Sequence, residues 1–151
     1  MTAADPGAVV PALVLDTNIV LDLLVFADPA AAPLRAALAA GERRWLATAA
    51  MREELARVLA YPQIVPRLAW YGLDAPGVLA AYDGQTRCVE PAPRAPVTCR
   101  DPDDQRFIDL AVAHGAGLLS KDHAVLRLRR RLQALGVDVG RALGAGGRPV
   151  P

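Results

Sequence analysis

The stretch Ala12-Leu13-Val14-Leu15-Asp16-Thr17-Asn18 decides the fold class of this chain. Its first four residues are all apolar, which is the pattern of a short strand buried on both faces in a parallel sheet. Polar residues end the strand at Asp16, and apolar residues at helical spacing follow from Ile19 to Val25. A buried strand that leads directly into a helix is typical of an α/β protein.

The alternation of strands and helices continues along the chain, and it predicts an α/β sandwich with right-handed crossovers. Further strands are predicted at Arg87 to Val89, Gly117 to Ser120 and Val137 to Val139. Helices are predicted over Ala31 to Ala40, Thr48 to Ala60, Gln63 to Tyr71, Ala75 to Asp83, Asp101 to His114 and His123 to Leu135. The proline-rich segment from Glu90 to Pro96 is expected to be a loop.

The composition is that of one ordinary globular domain. A chain of 151 residues can bury one hydrophobic core without disulfides or metals as staples. Hydrophobic residues make up 53%, and the 17 basic residues nearly balance the 16 acidic ones, which argues against both disorder and a wholly basic nucleic-acid binder. We place the domain at residues 1–143 and expect residues 144–151, which are rich in glycine, to form a flexible tail.

The cysteines and the N-terminal region indicate where in the cell the protein is located. Cys88 and Cys99 are single cysteines rather than a CxxC pair, which argues against a structural zinc site and a disulfide scaffold. The N-terminal region carries Asp5 and no basic segment, and acidic residues interrupt the apolar stretch from Val9 to Phe26. We therefore expect no signal peptide, no membrane span and a cytoplasmic location.

Two acidic residues follow predicted buried strands, Asp16 after the first and Asp122 after the strand that ends at Ser120. Ligands of parallel α/β sheets bind beyond the carboxyl ends of the strands. Two carboxylates that meet at this edge repel each other unless a cation or a proton is shared between them. This coincidence is the first functional signal in the chain.

Helical phase selects two more acids. In the helix from Thr48 to Ala60, Glu54 falls at the margin of the apolar face, whereas Glu53 points to solvent. In the helix that begins after Asp101, Asp104 lies in the middle of the apolar face, and Asp109 lies on the far side. The helix dipole alone explains Asp101 and Asp103 as first-turn acids. It does not explain a carboxylate that faces the core, which is costly unless it is paired or bound to metal.

Several carboxylates without histidine or cysteine ligands suit Mg²⁺ or Mn²⁺ and disfavour zinc. Such a cation can activate water and neutralise the charge that develops on a phosphodiester during an in-line displacement. Phosphodiester hydrolysis is therefore the chemistry that the acidic residues predict.

In four segments the chain resembles the PIN-domain nucleases, in particular the group described as toxin components of bacterial toxin–antitoxin pairs. Each segment alone is a weak signal, but the four occur in the family's order and spacing. The segments are Leu13 to Asn18, Glu54-Leu55 with Val58-Leu59, Arg100 to Asp104 with Phe107 and Ala111, and Leu119 to Asp122.

The resemblance implies a three-layer α/β/α sandwich with a short, mostly parallel sheet, and a Mg²⁺- or Mn²⁺-dependent ribonuclease. It also implies an RNA substrate, a cognate antitoxin that covers the site, and a tendency to form homodimers. Carried over residue by residue, the metal-binding and catalytic acids are Asp16, Glu54, Asp104 and Asp122, and the supporting residues are Asn18, Asp101 and Ser120. Glu54 is expected to position a metal or the attacking water.

Two alternatives stay open on the sequence alone. Haloacid-dehalogenase-like phosphatases also place an Asp after their first strand, but they need a second Asp where this chain has Asn18. The other alternative is a non-catalytic module that binds nucleic acid or protein through the arginines between Arg127 and Arg131. In a nuclease the same arginines either form a solvated helix face or steer the phosphate backbone towards the acids.

Overall fold

A computed structural model describes residues 10–144 and 146–151 of the chain. Its centre is a sheet of five parallel strands in the order β3-β2-β1-β4-β5. The strands are β1 (Ala12–Leu15), β2 (Arg44–Ala47), β3 (Thr86–Cys88), β4 (Gly117–Leu119) and β5 (Val139–Gly140). The prediction for the N-terminal residues, that they form no signal peptide, concerns a segment that lies largely outside the described residues.

Eight helices connect and cover the strands in the described residues. The predicted α/β sandwich with a short parallel sheet is confirmed. The helices are α1 (Thr17–Leu24), α2 (Ala32–Ala39), α3 (Ala49–Leu59), α4 (Val65–Trp70), α5 (Ala75–Gln85), α6 (Gln105–His114), α7 (His123–Leu126) and α8 (Arg129–Ala134). Short 3-10 helices at Pro29–Ala31 and Pro102–Asp104 precede α2 and α6. None of the helices in the described part of the chain has the length and apolar character needed to cross a membrane.

The central strand β1 lies at the middle of the hydrophobic core. All four of its residues are buried, in agreement with the continuous apolar run in the sequence. Helix α6 packs on β1 and β4, and it buries Phe107, Ile108 and Ala111, the residues that predicted its apolar face. Burial of this face holds the N-terminal turn of the helix over the carboxyl edge of the sheet.

The helix boundaries follow from local capping. The Thr48 side chain accepts a hydrogen bond from the backbone N–H of Met51 and so begins α3. Asp101 does the same for the 3-10 turn before α6, with Pro102 at the first position, as the sequence predicted. Gly115 ends α6 in a left-handed conformation that favours glycine, with φ of 58°.

Strand β2 was not predicted from the sequence. Its apolar part is only Trp45-Leu46-Ala47, preceded by two arginines, so the run is too short to distinguish from a loop. Tertiary packing supplies the missing signal, because β2 pairs between β1 and β3, and Trp45 packs edge-on against Tyr82 with ring centroids 5.1 Å apart. Trp45 is therefore a core residue.

The single helix predicted from His123 to Leu135 is wrong, because the structure has two short helices there. The backbone leaves the α-helical conformation at Leu128, between α7 and α8. The sequence has no glycine or proline at this point. Val125, Leu128 and Leu132 are all buried and are spaced as on one helix face, so the core-facing stripe continues across the break.

Near the C-terminus, two short strands form a hairpin that the sequence did not indicate. Ala142–Leu143 (β6) and Pro149–Val150 (β7) pair as an antiparallel hairpin. The hairpin lies against the main sheet, where the backbone of Val150 approaches Gly140. Residue 145 of the predicted tail lies outside the described residues.

The close approach at Gly140 gives a stability prediction. A Cβ added to Gly140 would lie 2.5 Å from the backbone nitrogen of Val150, so Gly140→Ala must displace β7. We expect the free energy of unfolding to fall by about 1–3 kcal/mol, the usual cost of overpacking. Urea denaturation of Gly140→Ala beside Gly146→Ala tests this, because no atom lies within 4 Å of a Cβ at Gly146. Equal stability of the two variants would contradict the close packing of Val150 against Gly140.

Candidate active site

The candidate site lies at the carboxyl edge of the parallel sheet, where β1 and β4 end side by side. Leu15 pairs with Leu119, and the backbone N–H of Asp16 donates to the carbonyl oxygen of Leu119 at 3.0 Å. The next residues of both strands, Asp16 and Ser120, are therefore brought together by the sheet ladder itself. Asp16 is buried, with 4% of its surface exposed.

Ser120 connects two of the predicted acids. Its hydroxyl donates to Oδ2 of Asp16 at 2.7 Å and accepts from the backbone N–H of Asp122 at 3.0 Å. The serine is fully buried, and its own N–H donates to the carbonyl oxygen of Gly140. One hydroxyl on a central strand therefore fixes the orientation of Asp16 and the course of the chain at Asp122.

Asp104 reaches the site from the turn before α6. It is buried, with 7% exposed, and its Oδ2 atom has no hydrogen-bond partner among the described residues. Burial, the shared hydrogen bond with Asp122 and repulsion from Asp16 raise the pKa of Asp104 to about 8. Asp122 is less buried, and the hydrogen bonds from Asp104 and from the N–H of Ala124 lower its pKa. In the metal-free protein the two carboxyls therefore titrate as a pair, and a shared proton offsets their repulsion.

Asp101 completes a compact group of carboxylates. One oxygen from each of Asp101, Asp104 and Asp122 lies within 4.8 Å of the others. Asp101 also caps the turn by accepting from the N–H of Asp103 at 3.0 Å, so its position is fixed locally. The sequence assigned Asp101 a supporting role only, whereas its carboxylate is as close to Asp104 and Asp122 as a ligand would need to be.

Asp16 and Glu54 lie beside this group rather than within it. Burial raises the pKa of Asp16, the Ser120 hydroxyl lowers it, and the carboxylates of Asp122 and then Glu54 raise it further. Glu54 is half-buried on α3 and accepts a hydrogen bond from the Thr17 hydroxyl at 2.8 Å. Thr17 therefore directs Glu54 to the edge of the sheet beside Asp16.

At the carboxyl edge of the sheet, the sequence did not indicate the surroundings of Asn18 and Lys121. Asn18, predicted to support the acids, is exposed, and its side chain has no hydrogen bond to the described residues. Lys121, to which no role was given, forms an ion pair with Asp22 of α1 at 2.6 Å. This pair connects the end of β4 to α1 beside the acids. Glu53 is exposed, as its helical phase predicted.

The acids make the stability of the metal-free protein depend on pH. The pKa of Asp104 rises from an ordinary 3.8 to about 8 on folding, so the native state binds more protons between these values. The contribution of Asp104 to stability is therefore fully present near and below the lower value and falls as pH rises towards 8, by at most about 1.4 kcal/mol per pH unit for one proton. Asp104→Asn should reduce this fall and leave the variant more stable than the parent at about pH 8.

Urea denaturation in EDTA at several pH values measures the effect. Asp103→Asn is the matched control, because Asp103 is the exposed neighbour on the same turn. A parent protein whose stability is constant or rises from about pH 5 to about pH 8 would contradict the raised pKa of Asp104.

A family model described as the PIN domain matches residues 12–124, which include all the acids above. The chain belongs to the PIN-domain family. No curated protein matches the chain. PIN domains are generally nucleases that need a divalent metal. The haloacid-dehalogenase-like alternative rested on Asp16 and the strand before it. The match assigns both to a PIN domain, so that alternative is no longer supported.

The acids of this PIN domain fit a hard divalent cation. The decisive feature is Oδ2 of Asp104, a buried carboxylate oxygen without a protein partner beside two further carboxylates. Burial raises the pKa of the Cys99 thiol, which donates a hydrogen bond to the carbonyl oxygen of Ala124. The group formed by Asp101, Asp104 and Asp122 contains no cysteine or histidine, so oxygen ligands define the site.

Proposed function

We propose that this PIN domain is a divalent-metal-dependent ribonuclease, with Mg²⁺ or Mn²⁺ as cofactor. The observation that carries the proposal is the partnerless Oδ2 atom of Asp104, buried beside Asp101 and Asp122. These carboxylates, together with Asp16, would hold the cation. Burial and, after it, the neighbouring carboxylates raise the pKa of Asp104 in the metal-free protein, and a bound cation would offset the repulsion among them.

Each side chain has a distinct part in the proposed reaction. A divalent cation, when bound, would neutralise the negative charge that develops on the phosphodiester. Ser120 orients Asp16, and the backbone N–H of Ala124 orients Asp122. Thr17 holds Glu54 at the margin of the site, where its carboxylate can accept a proton from the attacking water.

The substrate and biological role rest on the resemblance to toxin components of toxin–antitoxin pairs. RNA is therefore the proposed substrate, and a cognate antitoxin is the proposed partner that covers the acids in a cytoplasmic complex. A homodimer is proposed on the same basis. In the alternative, a non-catalytic binding module, the acids serve only as helix caps and surface charges. That role does not explain why the carboxylate of Asp104 is buried.

The test is cleavage of a labelled single-stranded RNA in EDTA, Mg²⁺ or Mn²⁺. We expect the parent protein to cleave only with metal, and Asp16→Asn to lose this cleavage. Glu54→Gln should also lower the rate, whereas Glu53→Gln, which changes the exposed neighbour on the same helix, should not. Equal cleavage by the parent and Asp16→Asn would indicate contamination or a different site and would contradict the proposal.

A further inference from the structure

A basic cleft lies on the two short helices that follow Asp122. Arg127, Arg129 and Arg130 line it together with Leu126 and Gln133, and its volume is about 440 Å³. No acidic side chain contributes to its wall. These residues recur every three or four positions, so they lie along one face of the two helices.

The arginines of the cleft are not used by the fold. All three are exposed, and none forms an ion pair or a side-chain hydrogen bond with another residue in the described part of the chain. Other arginines do have such partners, for example Arg52 with Asp83 at 2.7 Å. Three guanidinium groups that share one cleft without counter-charges form a site of concentrated positive potential.

The cleft is also close to the candidate active site. Asp122 caps α7, and Arg127 follows that helix directly. At a rise of about 1.5 Å per residue, the backbone of Arg127 is roughly 7–8 Å along the chain axis from that of Asp122. The nearest part of the cleft is therefore within reach of a phosphate adjacent to the one at the acids.

We propose that this cleft binds the ribose-phosphate backbone of the RNA next to the bond that is cut. The inference rests on the proposed ribonuclease function, and it identifies the surface that holds the substrate. The acids alone repel a polyanion, so a nearby cationic surface is needed to bring the backbone to them. Contacts to phosphates carry no sequence information, so the cleft contributes affinity rather than sequence preference.

A second group of arginines lies at the opposite end of the strands, far from the acids, and two of its members have hydrogen-bond partners in the fold. Arg43 and Arg44 donate to the backbone carbonyl oxygens of Gly147 and Val10, so they hold the chain termini to the sheet. Arg87 lies in the same region and is exposed. This group therefore has a structural explanation, and Arg87 is available as a control.

The experiment measures binding of a fluorescent single-stranded RNA by anisotropy in EDTA, so that no cleavage is required. The test variant is Arg127→Gln/Arg129→Gln/Arg130→Gln. The control is Arg57→Gln/Arg87→Gln/Arg148→Gln, which removes the same charge from three exposed arginines elsewhere. Arg127→Lys/Arg129→Lys/Arg130→Lys keeps the charge. Mn²⁺ affinity and thermal unfolding show whether the acids and the fold are intact in each variant.

We expect the glutamine variant at the cleft to bind RNA at least about 10-fold more weakly, with a salt slope reduced by roughly 2 for three lost contacts. The control should bind within about 3-fold of the parent, and the lysine variant should retain most of the affinity. Mn²⁺ affinity should be the same in all of them.

Three results would overturn the inference. One is unchanged affinity and salt slope in the glutamine variant, the outcome expected if the cleft serves an acidic protein partner instead. Another is an equal loss in the control. The third is an equal loss in the lysine variant. Tight binding that depends on the cleft, without any cleavage when Mn²⁺ is added, would refute the proposed ribonuclease and leave the RNA-binding cleft in place.

Discussion

Asp104→Asn is expected to lower the rate of metal-dependent RNA cleavage by about 10³-fold, the scale of several kcal/mol of lost transition-state stabilisation. The substitution keeps the shape of the side chain and removes one negative charge from the group that it forms with Asp101 and Asp122. A neutral amide is a weaker ligand for a hard cation, and it removes the unpartnered carboxylate that makes cation binding favourable. Single-turnover cleavage at saturating metal measures the change.

Asp103→Asn is the control for this prediction, because it makes the same chemical change one residue earlier on the exposed side of the turn. Its cleavage rate should stay within about 2-fold of the parent, as for a solvated surface charge. The two variants together separate the role of the buried carboxylate from the general charge of the turn. Similar losses in both variants would mean that Asp104 has no special part in the reaction.

Ser120→Ala is expected to have the second largest effect. The substitution removes the donor to Oδ2 of Asp16 and the acceptor for the N–H of Asp122, and it does so in a fully buried position. We expect metal affinity or cleavage to fall by about 10–100-fold, the usual cost of losing a group that orients metal ligands. The free energy of unfolding should fall by about 1–3 kcal/mol, because the buried Oδ2 atom of Asp16 loses its hydrogen-bond donor.

Parallel measurements of cleavage and urea denaturation test this prediction. Thr98→Val removes an exposed hydroxyl on the loop before α6 and should leave both quantities nearly unchanged. Full cleavage activity in a correctly folded Ser120→Ala protein would show that Asp16 needs no orientation by the serine. That result would contradict the proposed role of the two hydrogen bonds by which Ser120 links Asp16 to Asp122.

The positions of the main acids were predictable because they follow from simple geometry. Asp16 and Asp122 follow buried strands, and parallel strands end at one edge of the sheet. Helical phase predicted that Asp104 faces the core and that Glu53 faces solvent, and both are confirmed. These inferences needed only the period of a strand and of a helix.

The remaining features depend on contacts between segments distant in the chain. Thr17 holds Glu54 across 37 positions, and Asp22 pairs with Lys121 across a still longer separation, so no local pattern indicates either contact. Strand β2 and the strands of the C-terminal hairpin are too short to give a clear sequence pattern, and their pairing partners decide their structure. The break at Leu128 occurs without a helix-breaking residue, so the local sequence did not indicate it.

Whether the carboxylates of Asp101, Asp104 and Asp122 bind a divalent cation is tested most directly by titrating metal-free protein with Mn²⁺ and following the unbound ion by electron paramagnetic resonance. We expect saturable binding to the parent protein and an affinity at least about 10-fold lower in Asp104→Asn, with Asp103→Asn unchanged. Binding that is absent in the parent, or equally strong in Asp104→Asn, would contradict the claim that these carboxylates form a divalent-metal site.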